Sequence, residues 1–223
     1  MIEITRPEGV FYLPENLAQR QIQRFKQEGS EPFWRERIAE LLVKRPGSVI
    51  SAGVCFGGML TRIAAQASRV YAWEPSLENH KCAGATIAKN NLTNVQLRHA
   101  ALGSANGTGT LTTGWKNSYH LGGCSSMVDD GVPRSKYLTV GPFRLETVAV
   151  ECIDSFLYED LSILQLDCEG SEYHALLGAR ATIELHRPLI IVEEHNGDSA
   201  DLLASWNYAL THAYAGDCLY TPG

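Results

Sequence analysis

Residues 48–76 constrain the fold of this chain most, because they combine a strand pattern, a glycine-rich turn, a helix pattern and a second strand. Glycine lets the backbone turn sharply and approach a ligand closely. Glu74 ends the second strand, about 20 positions after the first of these glycines, where nucleotide-binding βαβ units carry an acid that binds ribose hydroxyls. The turn contains Gly53, Gly57 and Gly58. The segment therefore favours an adenosine-type cofactor over an ordinary glycine-rich loop.

Two features of the same segment distinguish between cofactor classes. The dinucleotide pattern G-x-G-x-x-G is absent, and Pro75 follows Glu74 directly. Both features disfavour a nicotinamide-dependent dehydrogenase, which is the alternative enzyme class.

Four motifs in this order resemble FkbM-type S-adenosylmethionine (SAM)-dependent methyltransferases. The matching segments are residues 51–57 (family pattern D-x-G-A-x-x-G), 70–75 (V-x-A-F-E-P), 90–103 (N-N-L-x-N-V followed by A-L-G) and 164–172 (K-I-D-V-E-G-F-E). Ser51 stands where the family has aspartate, and Val54 stands where it has alanine. The missing carboxylate motivates one non-enzymatic alternative, a methyltransferase-like binding protein that has lost SAM.

The resemblance implies an α/β, Rossmann-like class I methyltransferase fold with SAM as the cofactor. In this interpretation Glu74 binds the ribose, and the adenine lies beside residues 99–101. The implied cofactor-binding residues are Ser51, Gly53, Val54, Phe56, Gly57, Glu74, Pro75, Ser76, His99, Ala100, Ala101 and Asp167.

Alternating strand and helix patterns predict a mostly parallel sheet with helices on both faces. Residues 1–46 are predicted to form an N-terminal helical extension, with a helix from Pro14 to Gly29 and a second one capped by Ser30. Residues 47–223 would form a single SAM-binding domain. Glycine-punctuated short runs predict β-hairpins inserted at residues 103–148, before the fourth strand. Aromatic residues of this insertion would either line the substrate or anchor the insertion to the core: Trp115, Tyr119, His120 and Tyr137.

Ligands of such sheets bind at the carboxyl ends of the strands, where this sequence places several polar residues. A hydroxyl acceptor needs a base or a metal to remove its proton, so Asp167 and His195 are the candidate catalytic bases. The resemblance extends to metal-dependent O-methyltransferases, which implies Mg²⁺ bound by Asp167, Glu193 and Glu194. We expect O-methylation of a small secondary metabolite or glycosylated compound, with N-methylation of a small molecule or peptide as the alternative.

Composition limits the partners. The formal net charge is −6, which does not favour nucleic acid, and no apolar run reaches the length of a membrane span. Six cysteines without C-x-x-C spacing and no signal peptide predict reduced thiols in the cytoplasm. We expect a small-molecule acceptor as the partner, no nucleic acid and no membrane, and a homo-oligomer is compatible with the sequence.

Overall fold

The computed structural model describes residues 1–115, 119–136, 138, 141–193 and 197–223. The helices are α1 (Gln19–Glu28), α2 (Pro32–Lys44), α3 (Leu60–Ala64), α4 (Leu77–Lys89), α5 (Glu172–Leu177), α6 (Arg180–His186) and α7 (Asp198–Ser205). The strands are β1 (Ile2–Arg6), β2 (Gly9–Leu13), β3 (Ser48–Ala52), β4 (Val70–Trp73), β5 (Val95–Arg98), β6 (Ala101–Leu102), β7 (Gly107–Trp115), β8 (Met127–Asp129), β9 (Val132–Pro133), β10 (Phe143–Glu151), β11 (Leu161–Leu166), β12 (Leu189–Glu193), β13 (Tyr208–Tyr214) and β14 (Asp217–Pro222).

Seven strands form the central sheet in the order β13-β14-β12-β11-β3-β4-β5. The five strands from β12 to β5 are parallel, whereas β14 and β13 form an antiparallel pair at one edge. The order switches between β3 and β11, so a crevice opens at the carboxyl ends of these neighbours. The predicted α/β fold with a mostly parallel sheet is confirmed.

Helices cover both faces of this sheet, as predicted. On one face, α2, α3 and α4 pack with Ile38, Ile63 and Ala83 fully buried. On the other face, α5, α6 and α7 contribute Leu176, Ile183 and Leu203 to a second core. Because both faces are covered, β3 and β11 are buried along their whole length.

The N-terminal segment differs from its prediction in three details. It opens with an antiparallel hairpin, β1–β2, and α1 begins at Gln19 rather than at Pro14. Leu17 instead forms a β-bridge with His120, which keeps the preceding residues out of the helix. The second helix begins at Pro32 after Glu31, so Ser30 is not its cap.

The insertion forms a separate five-stranded sheet in the order β6-β10-β7-β8-β9. Strands β7 and β10 are long antiparallel partners, and β10 also pairs in parallel with the short β6. The predicted β-hairpins before the fourth strand of the central sheet, β11, are therefore present.

Helix α5 agrees with its sequence pattern only in part. The pattern predicts an inward face of Tyr173, Leu176 and Leu177. Leu176 is fully buried, as is Ala175, whereas Tyr173 and Leu177 are each 37% exposed. The helix has only six residues, so a single narrow stripe reaches the core. Within the described ranges, none of the helices has the length and apolar character needed to cross a membrane.

Candidate functional site

Gly53 begins the turn after β3 and adopts a left-handed backbone conformation, with φ at +75°. A Cβ at this position would lie 1.7 Å from the carbonyl oxygen of Asp167, so only glycine fits. The Gly53 N–H donates to the carbonyl oxygen of Trp73 at 3.0 Å. The turn is therefore held between the carboxyl ends of β4 and β11, at the crevice of the sheet.

Glu74 lies directly after β4 and is 3% exposed. Its Oε2 accepts the backbone N–H of Cys55 at 2.8 Å, and its Oε1 accepts the backbone N–H of Ser76 at 2.8 Å. Burial raises the pKa of this carboxyl to about 8, although the two N–H donors oppose the shift. The sequence thus places a fixed carboxyl group between the glycine turn and the start of α4.

A first cavity lies against this carboxyl group. Its walls come from the ends of β3 and β4, from β6, from the insertion and from the turn after β11. Among the predicted site residues, it is lined by Gly53, Glu74, Pro75, Ala100, Ala101 and Asp167.

A second cavity adjoins the first and shares Gly53, Cys55, Gly123, Asp167 and Glu169 with it. Helix α1 and the residues after it form the opposite wall, with Arg24 and Phe25 among them. Edge-to-face packing of Phe25 on Phe56, with ring centroids 5.8 Å apart, joins that wall to the glycine turn. Predicted site residues that line the second cavity are Ser51, Gly53, Val54, Phe56, Asp167 and Glu193.

Three predicted cofactor residues line neither cavity: Gly57, Ser76 and His99. His99 is exposed, with its ring centroid 4.9 Å from that of His80. Gly57 shapes the turn through a φ of +80°, and Ser76 donates its backbone N–H to Glu74. His195 and Glu194 lie outside the described residues, as does Tyr137.

The hydrogen-bond partner of Ser51 accounts for its difference from the family pattern. The hydroxyl donates to Oε1 of Gln165 at 2.5 Å, and the two residues are register partners on β3 and β11. When the aspartate of the K-I-D-V-E-G-F-E pattern is aligned with Asp167, its lysine falls at Gln165. A neutral, buried Ser–Gln pair therefore occupies two positions at which the family motifs carry opposite charges.

Three carboxylates converge at the shared wall of the cavities. Asp167, Glu169 and Glu193 each place an oxygen within 4.8 Å of the others. Burial, followed by the charges of Glu193 and Asp217, raises the pKa of Asp167 well above its ordinary value. Oxygen donors at this spacing suit a hard cation such as Mg²⁺, and Glu169 was absent from the predicted ligand set.

The turn after β11 positions these carboxylates. Glu172 accepts the backbone N–H of Cys168 at 2.6 Å and that of Gly170 at 3.0 Å. Glu169 and Gly170 both have positive φ, at 50° and 96°, so the chain doubles back on itself. The second glutamate of the D-C-E-G-S-E segment therefore holds the backbone of the turn, while the first faces the cavities.

His120 and Asn79 hold the insertion over the first cavity, and sequence reasoning missed Asn79. Nδ1 of His120 accepts the Gly122 N–H at 2.9 Å, so Nε2 carries the hydrogen and donates to the Ser76 hydroxyl at 3.2 Å. Burial lowers the pKa of His120 to about 4, which keeps the ring neutral. Asn79 donates to the Gly122 carbonyl at 3.0 Å. His120 thus anchors the insertion to the core, the second of its two predicted roles.

The crevice at the strand switch, with a buried acid after β4, defines a class I methyltransferase type of α/β protein. A family model for the methyltransferase FkbM domain matches residues 52–211, so the chain belongs to the FkbM methyltransferase family. The expected family and fold are thereby confirmed, and the family is one of SAM-dependent methyltransferases.

Two solved structures illustrate the likeness in fold. Methyltransferase FkbM from Methylobacillus flagellatus KT is 17% identical with a TM-score of 0.56, and the match covers 93% of this chain and 56% of that one. Precorrin-6y C5,15-methyltransferase from Geobacter metallireducens GS-15 is 10% identical with a TM-score of 0.52, covering 94% and 91%. This chain therefore spans little more than half the length of the first protein. A search of curated proteins finds no match.

Proposed function

We propose that this enzyme transfers a methyl group from SAM to a hydroxyl of a small secondary metabolite or glycosylated compound. The observation that carries the proposal is the pair of adjoining cavities, which meet at Gly53, Cys55 and Asp167. One cavity would hold the nucleoside, and the other would hold the methionine end together with the acceptor. Transfer needs the two reactants side by side and largely shielded from water.

The residues that line the first cavity fit the nucleoside of SAM. Glu74 presents a fixed, buried carboxyl group to accept ribose hydroxyls, and Ala100 and Ala101 offer a flat apolar wall for an adenine. The Gly53 turn brings the backbone close without side-chain obstruction. Around the second cavity, Ser51, Val54 and Phe56 would contact the methionine portion.

When bound, SAM supplies an electrophilic methyl group on a sulfonium centre. Asp167 lies on the wall shared by the cavities, where an acceptor hydroxyl would meet that group. Its raised pKa makes the ionised carboxylate a stronger proton acceptor than an ordinary aspartate, which suits removal of a hydroxyl proton. His195 remains the second proposed base.

Mg²⁺ remains part of this proposal: with the ion bound, Asp167 would be a ligand and His195 would be left as the base. Asp167, Glu169 and Glu193 would hold the ion, with Glu194 as the further predicted ligand. A bound Mg²⁺ would lower the pKa of an acceptor hydroxyl and offset the mutual repulsion of these carboxylates.

The acceptor is proposed to be a small molecule rather than a nucleic acid. The net charge of −6 and the carboxylates that line the second cavity oppose binding of a phosphate backbone. Location in the cytoplasm and the oligomeric state remain predictions from the sequence.

The test is methyl transfer from isotopically labelled SAM to a panel of hydroxyl- and amine-bearing metabolites, with the labelled atom located by tandem mass spectrometry. We expect label on oxygen, and a large loss of rate in Asp167→Asn at saturating SAM. Label on nitrogen alone would contradict O-methylation. Absence of SAM binding would support the non-catalytic alternative, a methyltransferase-like binding protein that has lost SAM.

A further inference from the structure

Asn79 is a buried residue of the first cavity that neither the family motifs nor the proposed catalytic scheme uses. It lies in the first turn of α4 and is 1% exposed. Its Nδ2 donates to the carbonyl oxygen of Gly122 at 3.0 Å and to Oε1 of Glu74 at 3.4 Å. The side chain therefore lies between the insertion and the carboxyl group assigned to the ribose.

The orientation of the Asn79 amide follows from these partners. The Gly122 carbonyl can only accept a hydrogen bond, so the nitrogen must face it and Oδ1 must face away. Among the described residues, Oδ1 is buried and has no hydrogen-bond partner. A buried carbonyl oxygen without a partner costs about 1–3 kcal/mol, and native proteins usually supply one.

We propose that Oδ1 of Asn79 accepts a hydrogen bond from a ribose hydroxyl of the bound cofactor, so that Asn79 and Glu74 bind the ribose together. The inference rests on the proposed nucleoside site. Oδ1 needs a donor, and adenine ring nitrogens and the methionine carboxylate are acceptors. The ribose hydroxyls are hydrogen-bond donors of the cofactor, and the proposed nucleoside site assigns them to Glu74. The Asn79 amide also contacts Glu74. Because Nδ2 also binds Gly122, ribose recognition is coupled to the position of the insertion turn over the cavity.

A double-mutant cycle between protein and ligand tests this assignment. Affinities are measured by calorimetry for S-adenosylhomocysteine, its 2′-deoxy and 3′-deoxy analogues, and S-inosylhomocysteine, which lacks the adenine amino group. The proteins are wild type, Asn79→Leu, Asn79→Asp and Ser125→Ala. Ser125→Ala is the matched control, because its hydroxyl also donates to the Gly122 carbonyl, at 3.2 Å, and Ser125 lines the same cavity.

We expect removal of one ribose hydroxyl to weaken binding by about tenfold in wild type and by about twofold or less in Asn79→Leu. The full tenfold loss should persist in Ser125→Ala. It should also persist in Asn79→Asp with its buried carboxyl group protonated, because one oxygen can then donate to Gly122 while the other accepts. If Asn79→Leu does not fold, Asn79→Ala replaces it in the cycle.

Three outcomes would overturn the inference. Equal losses for every analogue in wild type and Asn79→Leu would assign Asn79 a purely structural role. Coupling to the inosyl analogue alone would assign Oδ1 to the adenine amino group. An unchanged affinity for both deoxy analogues in wild type would show that the protein does not bind the ribose hydroxyls. Failure of wild type to bind S-adenosylhomocysteine at all would instead refute the proposed nucleoside site.

Discussion

The buried carboxyl group of Glu74 should make the stability of the ligand-free protein depend on pH. Burial raises its pKa from 4.5 to about 8, so the folded protein keeps the proton where the unfolded chain has lost it. The stabilising contribution of this carboxyl group to the unfolding free energy is complete below pH 4.5 and is lost as the pH rises to about 8. The perturbation is Glu74→Gln, which replaces the titrating group with a neutral amide.

The magnitude follows from the size of the shift. One pKa unit corresponds to about 1.4 kcal/mol, so the shift amounts to about 5 kcal/mol of unfolding free energy across the whole window. Glu74 is 3% exposed, so solvent screening does not reduce this figure greatly. The glutamine variant carries a constant cost of about 1–3 kcal/mol, because its amide nitrogen faces a backbone N–H. That cost does not vary with pH.

Urea unfolding of wild type and Glu74→Gln at a series of pH values measures the effect. Other buried carboxyl groups, such as Asp217 with its pKa raised to about 7, titrate in both proteins and cancel in the difference. The unfolding free energy of wild type relative to the variant should fall by several kcal/mol between pH 5 and pH 8.5. A difference that stays constant over this range would refute the assignment of a buried, protonated Glu74.

The remaining predictions concern the cofactor, the Ser51 pair and the metal. Ribose hydroxyls favour the ionised carboxylate, so the affinity for S-adenosylhomocysteine should rise as the pH approaches 8, and the rise should vanish in Glu74→Gln. Ser51→Asp buries a lone carboxylate beside the neutral Gln165 and should lower the unfolding free energy by about 3 kcal/mol. Adding Gln165→Lys should restore most of that loss in urea unfolding, and no recovery in the double variant would contradict the pairing. Once an acceptor is known, EDTA should abolish transfer and Mg²⁺ should restore it; full activity in the chelator would remove the metal from the mechanism.

The sequence predicted the strand–turn–helix–strand unit and Glu74 well, because those signals are local. Periodicity, glycine placement and the spacing of the acid all lie within residues 48–76. The parallel sheet followed from the alternation of strand and helix patterns. These features depend on residue patterns whose members lie close together in the sequence.

Contacts between distant residues could not be predicted in this way. Ser51 meets Gln165 across 114 positions, and Asn79 meets Gly122 across 43. Helix α1 begins later than predicted because Leu17 pairs with His120, which lies far along the chain. Each of these outcomes depends on the docking of the insertion or on strand register, for which a single sequence gives no direct signal.

The central claim is that the first cavity binds the nucleoside of SAM through Glu74. Calorimetric titration of S-adenosylhomocysteine and of NAD into wild type and Glu74→Ala, with folding checked by circular dichroism, tests it most directly. We predict one S-adenosylhomocysteine per chain, no binding of NAD, and a loss of roughly 10- to 100-fold in affinity in the variant. Binding of NAD instead, or unchanged affinity in a folded Glu74→Ala protein, would contradict the account.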